Sequence, residues 1–174
     1  NQIAIGSGSM HDTGAAGASA NNIMIGAHAG GGTWGSTAMN HNIGIGAYAQ
    51  DAAMDGADRN VSVGSYSLSN ITSGDDNIGI GYDTGAINTG NRNIAIGSYA
   101  LNAADGAEYD NIAIGNNALG ALNEDGATRN VALGINALVS LTDNDGGEGN
   151  VAIGYGAADS LQTGDGNVVI GSAA

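Results

Sequence analysis

The chain has no Cys, no Pro, no Phe, one Trp, and three strongly basic side chains, all Arg, among 174 residues. Without Cys there is neither a disulfide framework nor a thiolate metal site. With so few large side chains a broad globular core cannot be filled, although a thin one, in which backbone approaches backbone, can. No apolar run is long enough to span a bilayer, so membrane insertion by this segment is not expected. The formal charge of −14 disfavours nucleic acid and anionic membrane surfaces as partners. The chain opens on Asn rather than Met, which reads as a mature or internal piece.

What the sequence has in excess is Gly, 32 residues, more than twice the usual share of roughly 7%. The glycines are periodic. A pattern Asn–(Ile/Val)–x–(Ile/Val/Leu)–Gly ends at Gly6, Gly26, Gly46, Gly64, Gly81, Gly97, Gly115, Gly134, Gly154 and Gly171, at intervals of 16 to 20 residues. The Asn holds in every repeat but the first, which has Gln2. Three residues past each Gly stands a small side chain, and all length variation falls in the Gly/Asp/Asn/Thr-rich stretch before the next Asn. The whole chain, 1–174, is therefore one repeat domain, expected to be a segment of a longer fibre.

Within the motif the two branched residues are two apart, on one face of a short strand. A strand this short is stable only when stacked on its neighbours, so the expected fold is all-β: a β-solenoid of about ten coils of 16–20 residues. In a stack each motif position becomes a column. The position before the Asn reads Arg59, Asp76, Arg92, Asp110, Arg129 through the middle of the chain, an alternation predicted to form ion pairs between coils and to fix register. The middle strand position carries Ala4, Gly44, Gly79, Ala95, Ala113, Ala132 and Ala152, with no charge anywhere in the column. Small residues on that face predict close approach by another backbone. The simplest partner is the chain itself, as a homotrimer about a common axis, with this column packing the trimer.

Stretches such as "NIAIGSYAL", "NIAIGNNAL" and "NVALGINAL" resemble the head repeats of trimeric autotransporter adhesins and the Asn–x–Ala–Ile–Gly–x–x–Ala–Leu repeats of phage tail-fibre-like proteins; the longer loops fit the second type better. The resemblance spans all ten repeats. It implies a trimer of left-handed parallel β-rolls, each coil giving an inner strand, a Gly bend and an outer strand. It also implies an extracellular fibre, on a cell surface or a virion, that attaches to a host-surface glycan or protein.

Site candidates are few. No nucleophile motif accompanies His11, His28 and His41, and the seventeen carboxylates are scattered through loops, so the chain reads as non-enzymatic. No cofactor is implied except possible Ca2+. The stretch "DNDGGEGN" places the oxygen ligands Asp143, Asp145 and Glu148 on Gly-rich backbone, which hard cations prefer; acid-rich turns are the plainer account. Receptor-binding candidates are Trp34, alone in "GGGTWGST", and a partial aromatic column of Tyr48, Tyr66 and Tyr99. Those rings either offer flat faces to sugars and apolar partners or stack on one another along the rod. Tyr82 and Tyr155 sit one residue earlier in their repeats. A fibre that binds through its loops and a purely structural shaft or filament are the two functional expectations.

Overall fold

A computed structural model of the chain describes residues 1–11, 18–103, 106, 108–122, 127–142 and 147–174. Each motif forms one three-residue strand: β1 Ile3–Ile5, β2 Ile23–Ile25, β3 Ile43–Ile45, β4 Val61–Val63, β5 Ile78–Ile80, β6 Ile94–Ile96, β7 Ile112–Ile114, β8 Val131–Leu133, β9 Val151–Ile153 and β10 Val168–Ile170. All ten lie parallel in one sheet, in chain order and in register, so that Ile78 pairs Ile94 and Ile94 pairs Ile112. The expected β-solenoid is present. No second, outer strand forms among the described residues. Where the residues after each motif Gly are described they run through turns, with isolated bridges among them at Ala20–Asn40, Asn91–Tyr109 and Tyr109–Thr128.

Two motif positions hold the stack together. The Asn before each strand is buried from Asn22 to Asn150. Its Oδ1 accepts both the backbone N–H and the Nδ2 of the Asn one repeat later, as in Asn60 to Asn77 at 2.9 and 3.1 Å. Its Nδ2 also donates to a carbonyl three residues before the next Asn, at 2.7 Å from Asn93 to Glu108. An amide supplies a two-lone-pair acceptor and two donors at one position, which this ladder needs and a carboxylate cannot offer. Gln2 falls outside it and donates instead to the Ser19 carbonyl at 2.7 Å. The motif Gly takes φ of 118° to 148°, a region closed to other residues, and a Cβ on Gly97 would lie 2.7 Å from the carbonyl carbon and oxygen of Gly115.

The two faces of the sheet are the reverse of the sequence expectation. Gly44, Gly79, Ala95, Ala113, Ala132 and Ala152 point into their own coil and are buried within the single chain; Ala4, in the first repeat, is exposed. This column therefore does not pack a trimer. It is small because the returning turn of the coil fills the space opposite: a Cβ on Gly79 would lie 2.7 Å from Ser67 Oγ and 2.8 Å from Leu68 Cγ. The core is completed by residues of that turn, including Ala100, Leu101, Leu119 and Leu138, and by Ile71, Ile87, Leu122 and Leu141 from the loops. The branched residues face outward, and Ile5, Ile45, Val63, Ile80 and Leu133 are 37–57% exposed.

Candidate functional site

The outward face of the sheet is an apolar strip two side chains wide and ten strands long. At about 4.8 Å per strand and roughly 7 Å between the two outward residues of each strand, its centre lines enclose a band some 43 Å long. Two columns of very different chemistry border it. Two residues before each strand lies the charged column, and three residues after it lies the aromatic one.

Both columns turn through left-handed backbone. φ is 58° to 62° at Arg59, Asp76, Arg92, Asp110 and Arg129, and 59° to 62° at Tyr48, Tyr66 and Tyr99. Asn, Asp and Gly occupy this region most readily, whereas Arg and Tyr there cost about 1–2 kcal/mol each. In the charged column every arginine reaches toward the following repeat. Arg59 Nε and Nη2 meet the two oxygens of Asp76 at 2.6 and 2.9 Å, and Nη2 also meets Asp75 at 3.2 Å. Arg92 grips Asp110 in the same two-point manner, at 2.6 and 3.0 Å. These guanidinium bonds hold the carboxyls of Asp76 and Asp110 below the usual aspartate range.

Arg129 departs from the expected alternation. Its hydrogen-bond and ion-pair partner is Glu148, while Asp110 is held by Arg92. The reason is local: the position in line with Arg129 in the next repeat is Gly149, so the guanidinium takes the acid one residue earlier. The ion pairs are open to solvent, with arginine side chains 49–64% exposed, so each fixes register more than it stabilises.

Across the strip, the aromatic column is a ladder. His28 stacks on Tyr48 at 5.1 Å between ring centroids, and Tyr48 on Tyr66 at 5.0 Å, with planes within 6°. In the next repeat Asp83 occupies the ladder position, and the ring of Tyr82 leans in from the neighbouring column. It stands 76° from Tyr66 and 77° from Tyr99, at 6.0 and 5.6 Å. Tyr48 and Tyr66 thus spend ring faces on each other, whereas Tyr82 stands crosswise between Tyr66 and Tyr99. The sequence did single out Tyr48, Tyr66 and Tyr99, and the structure brings all three into this one ladder. It missed Tyr82 as a member, because its offset by one residue hides it from column counting.

Trp34 is not a surface anchor. It is 2% exposed, packs beside Met24 and donates from Nε1 to the Gly30 carbonyl at 3.0 Å. In the irregular stretch after β2 it does what Leu does in the regular coils. Of the calcium candidates, Asp143 and Asp145 lie outside the described residues, and the Glu148 carboxylate is engaged by Arg129. Among the described residues no group of three or more His, Asp or Glu side chains is placed to hold a metal ion, and no helix is long and apolar enough to cross a membrane. Comparison with protein-family models, curated proteins and solved structures finds no match to this chain.

Proposed function

We propose that the chain is a non-enzymatic, structural segment of a self-assembled extracellular fibre, in which several copies, most simply three, share the Ile/Val strip as their common core. The observation that carries this is the exposed apolar face itself. A monomer seldom leaves an apolar patch of more than about 300–600 Å² in water, and here one runs unbroken along the whole rod. The eight most exposed outward residues (Ile3, Ile5, Ile45, Val63, Ile80, Leu133, Val168, Ile170) are on average half exposed. Covering what remains is worth about 6–12 kcal/mol over the eight, taking roughly 1.5–3 kcal/mol for a whole side chain. That alone approaches the roughly 4–15 kcal/mol cost of association, before the other outward positions are counted.

Burial of Trp34 and the mutual stacking of Tyr48 and Tyr66 favour the shaft over a receptor-binding head, since these three attachment candidates are engaged within the rod. Attachment to a host-surface glycan or protein then falls to other parts of the fibre. Light scattering tests the reading. The expected mass is about three times 16.9 kDa, and Ile96→Glu, a charge in the middle of the strip, should reduce it to one. A wild-type monomer at micromolar concentration would sink the proposal.

A further inference from the structure

We infer that the two borders of the apolar strip recognise each other between copies: Arg59 of one chain rests on Tyr82 of the next, and Arg129 on Tyr155. The inference rests on the self-assembly reading and names the contacts that would register it.

Copies related by rotation about an axis parallel to the rod run their strands the same way round that axis. The trailing edge of each sheet then meets the leading edge of the next at the same height, so the aromatic border of one chain faces the charged border of another. Height is what selects the pairs. Arg59 belongs to the repeat of β4, but its guanidinium lies one repeat further on, over Asp75 and Asp76. That is the repeat of β5, whose trailing edge carries Tyr82. Arg129 likewise reaches from the repeat of β8 to Glu148 in the repeat of β9, whose trailing edge carries Tyr155. Tyrosine stands one residue after the motif Gly only in these two repeats. Both are repeats in which an arginine head lies at the opposite border. Arg92, the third, comes to the height of Asn116.

The groups on each side are exposed and within reach of this contact. Asp76 takes the Nε and Nη2 edge of Arg59, leaving the planar faces of a side chain that is 49% exposed. Tyr82 is 47% exposed and stands across the ladder, nearly perpendicular to Tyr66 and Tyr99, and Tyr155 at 61% is the most exposed aromatic of the chain. Beside Tyr82, no hydrogen bond or ion pair from the described residues reaches the carboxylate of Asp83. A guanidinium laid on the Tyr82 ring would find that carboxylate as a second counter-charge. A cation over a ring, with acids on both sides, is a favourable arrangement at a solvent-touched interface. It also offsets the left-handed backbone cost of Arg59 and Arg129, whose φ values are 58° and 62°.

The test is a double-mutant cycle on the full chain, reading the dissociation constant of the oligomer by sedimentation equilibrium. Arg59→Met and Tyr82→Leu are each expected to weaken association by about two- to fivefold per contact. Their combination should be no weaker than the worse single variant. Tyr82→Leu leaves the Arg59–Asp76 pair intact, so a fold defect in Arg59→Met would not hide the result. The mismatched pair Arg59→Met with Tyr155→Leu should combine additively. An oligomer in which Arg59 and Tyr82 also combine additively overturns this inference alone. A wild-type monomer overturns it together with the self-assembly reading.

Discussion

Replacing Asn93 separates the ladder of buried amides from every other contribution to the rod. Asn93 is fully buried. Its Nδ2 donates to Asn77 Oδ1 at 3.1 Å and to the Glu108 carbonyl at 2.7 Å, and its Oδ1 accepts the Asn111 N–H at 3.0 Å and Asn111 Nδ2 at 3.2 Å. Asn93→Ala takes the acceptor from the buried Asn111 N–H and the donor from the Glu108 carbonyl. At about 1–3 kcal/mol for each buried group left unpaired, the expected loss is about 2–6 kcal/mol. Asn93→Asp keeps the shape but aims a second oxygen at two acceptors, Asn77 Oδ1 and the Glu108 carbonyl. The charged form is therefore disfavoured in the fold, and its pKa is raised above the unfolded value of about 3.9. A raised carboxyl pKa means the penalty is complete above the folded pKa and shrinks, by about 1.36 kcal/mol per pH unit, as pH falls toward the unfolded one.

Urea unfolding followed by far-UV circular dichroism, for wild type and both variants at pH 7, 5 and 4, provides the assay. Differences from wild type at each pH cancel the other carboxylates. The Asp variant should be the weaker of the two at pH 7 and recover relative to the Ala variant as pH falls, while the Ala deficit stays level. An Asp variant as stable as wild type at pH 7, or an Ala deficit below about 1 kcal/mol, would refute the claim that the ladder holds the repeats together.

Gly97→Ala meets the backbone of Gly115 at 2.7 Å with φ at 118°. It is expected to cost about 2–4 kcal/mol, a fall in the thermal midpoint that an exposed-loop substitution such as Ser160→Ala does not reproduce. The acid limb of wild-type stability follows from Asp76 and Asp110, held low by Arg59 and Arg92, and from Asp165, held low by the N–H groups of Glu148 and Gly147. A depressed carboxyl pKa gives stability that is present above about pH 3.9 and is lost as pH falls through the folded values. The melting temperature should therefore drop between pH 4 and pH 2, and added salt should lessen the part due to the arginine pairs. A flat profile over that range would contradict the assignment.

The sequence by itself determined everything that repeats along one dimension. Ten strands, their parallel order, their register, the Gly bend and the Asn position were all legible, because in a stacked coil a motif position becomes a column whatever the coil's cross-section. That Arg59 and Arg92 pair with aspartates of a neighbouring repeat was legible for the same reason; that both reach forward was decided by the structure. Only the tertiary structure decided what lies inside the cross-section. Alternation of period two says that Ala95 and Ile94 lie on opposite faces, not which face is inward. That depends on how much room the returning turn leaves, and Ser67 and Leu68 leave no room even for a methyl group at Gly79. The small column therefore went inside and the branched residues outside, moving the expected interface to the other face of the sheet. The burial of Trp34 and the crosswise setting of Tyr82 between Tyr66 and Tyr99 have the same origin. Each is set by the reach of a side chain into space that neighbouring repeats shape, and no periodicity in the chain records it.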